Sequence, residues 1–476
     1  MRILFIILLL PCLNCFSQGS DTSKIVHDTA DRRGHNMYGD LLRDDPAYNP
    51  KYPWYVVSSR VFANNVVGWA SSRYIYKVDW TSSGAKDWKN SFSKGPEWDD
   101  DGFGINFIGH PHTGNYYFNI ARSNGYSYWQ CLPFTLQGSL IWEFFGENTR
   151  PSYNDLINTP VSGMFVGEVI YRISSNILDD RTTGAERVFR ELLAGIINPP
   201  RAFNRLTQGK MKRVTSKEVY QKAPLNITVN AGANMENNGN KFGSGTANAI
   251  ANIQFDYGNP FENLRRKPFD LFRLRIEGTY GKYTKLLENI NGYGILAGRN
   301  YKNNNMLLGI YQHFDYWNNN LFEVGALGFG GGLISRSKIA KRSNLYSTVH
   351  LAIVPLAGNN TRYGPDTSSF RHYNYGGGLQ GKVEETFNLN KWAGGGITVF
   401  YYWIHTYEGI PGNSLVGVFK PFVTFNIYKN VSLGFEHFFY HNDRFNSGPD
   451  LHLRRTEQKI FLQIFLENSK RKGMYH

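Results

Sequence analysis

The chain reads as a mainly β protein: a C-terminal transmembrane antiparallel β-barrel of about twelve strands, preceded by an N-terminal α-helical region. Three observations predict this class. Short segments between Pro224 and Glu467 alternate apolar and polar residues, an export signal opens the chain, and aromatic residues make up 15% of it.

The alternation is plainest where Ile227, Val229, Ala231 and Ala233 interleave with Asn226, Thr228, Asn230 and Gly232. Successive strand side chains point to opposite faces, so such a segment is apolar on one face and wet on the other. Leu274 and Ile276 alternate with Arg273, Arg275 and Glu277, and a charged face on a strand of that length suits a watery lumen. The theme returns at Val349/Leu351/Ile353, Leu379/Gly381/Val383, Val431/Leu433/Phe435 and Ile460/Leu462/Ile464/Leu466. Roughly 9 to 11 tilted residues cross a hydrocarbon core as a strand, which is the length of these segments or a little less. Every backbone group in lipid needs a partner, so the strands must close on themselves, and an even count fits a bacterial outer-membrane barrel. A soluble β-sandwich or a lipocalin-like barrel is the alternative. Runs such as Tyr401-Tyr402-Trp403 and Phe438-Phe439-Tyr440 supply interfacial girdle residues.

In chain order, residues 1–18 carry Arg2, an apolar core from Ile3 to Leu10 and a small-polar end at Ser17-Gln18, the pattern of a secretory signal peptide. Pro11 and Asn14 stand before Cys12 and Cys15 where a lipobox holds a small residue, so the reading is of a cleaved signal rather than a lipoprotein. Cleavage leaves Cys131 as the one cysteine and excludes an intramolecular disulfide. Residues 19–50 read as a flexible leader and 51–115 as a mixed segment with strands at Trp54–Phe62 and Arg73–Val78. That segment ends in a His110-Pro111-His112-Thr113-Gly114 turn. Residues 116–200 read as helical, 201–223 as a linker, 224–468 as the barrel and 469–476 as a basic tail.

Within the helical region, Leu132–Phe145 is largely apolar and of helix-core length, and Pro160 either kinks the next helix or marks its start. Gly163 and Gly167 share one face and allow close helix approach. Glu168 and Arg172 sit four apart in the favourable order for an ion pair. Ala185–Ile197 reads as a third, amphipathic helix ended by Pro199-Pro200. These helices form either a plug in the barrel or a periplasmic domain.

The formal charge of +14 becomes +13 once Arg2 leaves with the signal (14 − 1). With export and barrel patterning, this excess points to outer-membrane lipids and lipopolysaccharide phosphates as partners rather than nucleic acid. Chemistry-bearing residues gather before and within the helices: Asp99, Asp100, His110, His112, Arg122, Asn124, Glu143, Glu147, Asp155, Asn158, Glu168 and Arg172. Two imidazoles beside a run of carboxylates suit a divalent metal or a general-base pair, but the spacing matches no strong metal motif, and no metal or cofactor is expected. Glu143 and Glu147 lie on one helical face and with Asp155 form a paired-carboxylate candidate. The alternative is that Arg122, Arg150 and Arg172 neutralise these acids.

Trp98-Asp99-Asp100, His110-Pro111-His112-Thr113-Gly114, Tyr117-Phe118, Ala121-Arg122-Ser123-Asn124-Gly125 and Trp142-Glu143-Phe144-Phe145-Gly146-Glu147 occur in order across residues 85–200. The segment resembles bacterial domain-of-unknown-function family 3943, and the resemblance implies an exported, outer-membrane protein with no assigned reaction. Glu143, Arg150, Ser152, Asp155, Asn158, Gly163 and Gly167 resemble the helical pattern of VanZ-like membrane proteins, from which no function is carried over.

The expected function is therefore a non-enzymatic outer-membrane barrel serving envelope structure, transport or lipid organisation. The alternative is an outer-membrane lipid hydrolase or deacylase using histidine and carboxylate residues. The one tempting cluster in the final strands is Glu436-His437 and His441-Asn442-Asp443 with Ser447, and alternation puts Glu436 and His437 on opposite faces.

Overall fold

The computed structural model describes residues 34–237, 242–281, 285–319, 323–340, 343–360, 372–389, 392–446 and 450–467. The signal peptide, the basic tail and Ser447 lie outside the described residues.

Twelve strands succeed one another from Leu225: β1 (Leu225–Asn237), β2 (Thr246–Tyr257), β3 (Phe272–Tyr280), β4 (Asn289–Tyr301), β5 (Met306–Asn318) and β6 (Glu323–Ala340), then β7 (Ser343–Asn360), β8 (Tyr373–Leu389), β9 (Ala393–Glu408), β10 (Gly412–Tyr428), β11 (Val431–Asn446) and β12 (Leu451–Leu466). Each pairs antiparallel with its neighbours, and β1 closes on β12 with Ala231 opposite Leu462, so no edge is left unpaired. The twelve-strand barrel predicted from alternation is the one observed.

Ion pairs between strands that are not neighbours identify the lumen. Lys459 of β12 meets Glu277 of β3, Arg273 of β3 meets Glu384 of β8, and Lys382 of β8 lies 2.7 Å from Asp315 of β5. Residues of the opposite parity point outward, and many are exposed and apolar: Leu308 and Ile310, Leu351 and Ile353, Phe425 and Ile427, Ile460 and Leu462. At the end where β5 leaves and β6 enters, Trp317, Phe400, Tyr402, Phe438 and Tyr440 fill the lumen as a packed core. At the other end a cavity of ≈ 550 Å³ opens among Asn252, Arg275, Lys420, Thr424 and Gln463.

Seven α-helices precede the barrel among the described residues: α1 (Trp54–Ala70), α2 (Ala85–Lys94), α3 (His110–Arg122), α4 (Leu132–Ile141), α5 (Tyr153–Ile177), α6 (Gly184–Ile197) and α7 (Pro199–Thr207). The expected strand at Trp54–Phe62 is the start of α1. Its Val and Tyr residues favour a strand locally, yet Val57, Val61 and Asn65 bury at a spacing of four, and packing decides for helix. The second expected strand, Arg73–Val78, begins instead in the π-helical turn Ser71–Ile75. His110–Gly114 is not a turn but the first part of α3, which continues directly from the π-helical turn Ile105–Gly109 with Pro111 at its second position. Pro160 lies inside α5 rather than at its start.

α3 and α5 cross where two glycines meet: a Cβ on Gly163 would lie 2.5 Å from Gly114 Cα, and one on Gly167 would lie 2.5 Å from the Phe118 ring. This is the close approach that the spacing of Gly163 and Gly167 predicts.

The helices meet the barrel through outward-facing wall residues. Phe165 of α5 stacks on Phe314 with ring centroids 5.7 Å apart, and Phe103 stacks on Tyr316 at 5.4 Å. Gln312 donates to the Val161 carbonyl (3.0 Å) and accepts from the Tyr128 hydroxyl (2.5 Å). Gln312, Phe314 and Tyr316 share the parity of Leu308 and Ile310, opposite to Asp315. The helices therefore lie against the outside of the wall and not in the lumen, where a plug, one of the two placements the sequence leaves open, would sit. The physical reason is twofold: side chains of the barrel itself fill one end of the lumen, while Gly325 and Gly358 leave the outer wall bare enough to seat the Phe107 ring.

The helical unit is polar inside and apolar outside in its last two helices. On α6, Arg187 and Glu191 are buried while Val188, Phe189, Leu192 and Ile196 are exposed; on α7, Arg201 and Arg205 are buried while Phe203 and Leu206 are exposed. Among the described residues, no helix is long and apolar enough to cross a membrane alone.

Candidate functional site

The close crossing of α3 and α5 brings their N-terminal ends together beneath the segment that joins α2 to α3. That segment is tied down where Glu97 bridges Ser152, its N–H donating to the Pro151 carbonyl at 2.8 Å. Asp99 follows from the segment, His110 is the first residue of α3 and Asp155 lies in the first turn of α5. One ligand-capable atom from each of these three lies within 4.8 Å of the other two.

His110 Nε2 is 3.3 Å from Asp155 Oδ1 and 3.9 Å from Asp101 Oδ2, while its Nδ1 is held by the Thr159 hydroxyl at 3.1 Å. Asn154 donates to Asp99 Oδ2 at 3.0 Å and to Asp155 Oδ1 at 2.9 Å. Asn106 donates to Asp99 Oδ1 at 3.0 Å and to the hydroxyls of Tyr373 and Tyr375, and Tyr375 itself donates to Asp99 Oδ1 at 2.6 Å. Both tyrosines come from β8, so the barrel wall completes the site. Asn158 donates to the Asn106 carbonyl and accepts from Ser162 at 2.5 Å, which fixes the backbone before His110.

Burial pushes the Asp155 carboxyl well above its usual range, and its hydrogen bond with Asp99 and the charge of Glu143 push it further. Burial pushes Asp99 up too, but hydrogen bonds from Asp155, Tyr375, Asn154 and Asn106 outweigh it and hold Asp99 below the usual range. The two carboxyls are hydrogen-bonded to each other and are pushed in opposite directions. Burial, with Glu147 beside it, raises Glu143, whose Oε2 accepts the Ser152 N–H at 2.9 Å. Burial also raises Glu147, although the Trp142 indole donates to it at 2.7 Å. The arrangement can hold a cation or move a proton between imidazole and carboxylate.

Of the residues singled out in the sequence, the structure brings Asp99, His110, Asp155 and Asn158 together, with Glu143 and Glu147 adjoining. Asp100 is exposed, and His112 turns away to stack edge-on against Tyr116 at 5.1 Å. Arg122 and Arg172 serve a separate buried centre, their Nε atoms 2.8 and 2.7 Å from the two oxygens of Glu168. Asn124 accepts from Gln208 at 2.6 Å and from Arg60. The arginines expected to neutralise the paired acids do not do so: Arg150 pairs with Glu97 at 2.6 Å and the other two with Glu168. Asn154, Thr159, Tyr373 and Tyr375 carried no sequence signal that marked them. On the final strands, Asp443 is clamped by His441, His452 and Arg454, and Glu436 pairs with Lys420 on the lumenal side.

No curated protein matches the chain. Solved structures with some likeness include the outer membrane channel DcaP of Acinetobacter baumannii, at 10% identity and a TM-score of 0.23, covering 53% of this chain and 77% of that one. The beta domain of the Bordetella autotransporter BrkA gives 9% and 0.21, covering 50% and 98%. The Pseudomonas putida toluene transporter TodX gives 7% and 0.19, covering 51% and 88%. At that level of likeness nothing about function transfers. Residues 95–200, which carry Asp99, His110, Glu143, Asp155 and Asn158, match the model of a Domain of unknown function (DUF3943).

Proposed function

We propose that this is a non-conducting outer-membrane protein whose barrel anchors a helical domain in lipid, where that domain organises or binds outer-membrane lipids, lipopolysaccharide among them. The observation that carries the reading is the inside-out helical unit on the outer wall. Val188, Leu192, Ile196, Phe203 and Leu206 are exposed beside a buried set of arginines and acids, the reverse of a helix pair that meets water. Exposed Trp54, Phe62 and Val67 on α1, with Leu136 and Leu140 on α4, extend the apolar surface around the unit. β5 and β7 also carry exposed apolar residues, Leu308, Ile310, Leu351 and Ile353, and a bilayer would cover both sets. The helices cover wall that would otherwise face lipid, and the barrel's own residues block one end of the lumen, which argues against solute passage.

A second reading, a lipid-acting enzyme, is favoured by the acid–histidine cluster, which offers a proton-transfer pair at the helix–wall seam. Planar-bilayer conductance of the folded mature protein tests the first reading. Silence is the expected result; discrete conductance steps from folded protein would show an open lumen and overturn it.

A further inference from the structure

We infer that Asp99, His110 and Asp155 form a binding site for one divalent transition-metal ion. The geometry supplies one imidazole nitrogen and two carboxylates from three separate segments, with the ligand atoms within 4.8 Å of one another. Tetrahedral coordination at bond lengths of about 2.0–2.2 Å places ligand atoms about 3.2–3.6 Å apart, and the 3.3 Å from His110 Nε2 to Asp155 Oδ1 falls there. The Thr159 hydroxyl holds Nδ1 and leaves Nε2 turned to the carboxylates, the arrangement by which an outer partner orients a ligating histidine.

Charge gives an independent argument. Away from the cluster and the adjoining Glu143 and Glu147, Glu168 is met by Arg122 and Arg172, and Asp180 by Arg187, Arg205 and Arg213. Buried Asp155 instead faces the His110 imidazole, with exposed Asp101 3.9 Å from the same nitrogen. A buried carboxyl that faces an imidazole rather than an arginine is matched by a bound cation. The mixed nitrogen and oxygen donors select a zinc- or manganese-like ion over magnesium or calcium, which take oxygen ligands. The site stands on helix crossing geometry and does not depend on what covers the outer face of α6 and α7.

The test uses tag-free full-length protein, folded in detergent, stripped with chelator and titrated with Mn²⁺ while free ion is followed by electron paramagnetic resonance. One equivalent bound per chain is expected, with affinity lowered more than about tenfold in Asp155→Asn and His110→Gln, about tenfold in Thr159→Val, and unchanged in Asp100→Asn. Absence of binding, or affinity unchanged in the His110 variant, overturns the site. So does binding abolished by His441→Gln, which would place the ion on the rim histidines. Pulsed resonance of the Mn²⁺-loaded native protein needs no variant: nitrogen coupling from one imidazole is expected, and its absence overturns the assignment.

Discussion

Gly114 and Gly163 touch where α3 crosses α5, and that contact sets how far His110 stands from Asp155. A Cβ at Gly114 would lie 1.7 Å from the Thr159 carbonyl oxygen, on the residue that holds the His110 ring. Gly114→Ala and Gly163→Ala must push the helices apart and are expected to destabilise the helical unit by about 1–3 kcal/mol, the usual cost of overpacking. Gly381→Ala, at a position with open space around it, is the neutral control. Thermal unfolding followed by far-ultraviolet dichroism separates the helical transition from the barrel.

Glu168 is fully buried between two arginines. Glu168→Gln leaves Arg122 and Arg172 sharing a neutral amide, and a loss of about 3–5 kcal/mol is expected because an uncompensated buried charge remains. Denaturant midpoints of the helical unit check this.

Lys210 follows α7 and is 7% exposed. Burial, reinforced by Arg213, Arg205 and Arg201, depresses its pKa to about 8. The unfolded chain binds the proton more tightly, so stability rises with pH between about 8 and 10.5 and is lowest below 8, where the buried ammonium is charged. Lys210→Met is expected to stabilise the unit at pH 7 by up to ~3 kcal/mol and to flatten that rise. Melting curves across the alkaline range decide it; a variant with the native slope contradicts the assignment.

The Phe107 ring rests on the bare backbone of Gly325 and Gly358, where added Cβ atoms would lie 2.3 and 2.4 Å away. Gly325→Leu is expected to lift the helical unit off the wall and leave the barrel closed. Limited proteolysis should then cut residues 54–207 early while the barrel keeps its heat-modifiable mobility on gels.

The barrel was legible in the sequence because its two faces meet different media, and alternation records that difference residue by residue. The docking face was not, since Gln312, Phe314 and Tyr316 keep the same alternation whether they meet lipid or helices. The start of α1 reads as a strand because Trp54–Phe62 is rich in strand-favouring residues, and only the burial of Val57, Val61 and Asn65 decides for helix. Asp99, His110 and Asp155 stood out by residue type. Tyr373 and Tyr375, more than two hundred residues away, join them only because β8 passes beneath the segment before α3, and nothing local in the sequence encodes that meeting.

The most direct test of the account is the medium that covers α6 and α7. Single nitroxide labels at Leu192→Cys and Phe203→Cys in vesicles report it, since Cys131, the one free cysteine among the described residues, is buried and out of reach of the label. The account predicts collisions with dissolved oxygen and little with a water-soluble nickel chelate at both sites. Strong nickel collisions at both, with the protein folded, would place the helical unit in water and contradict it.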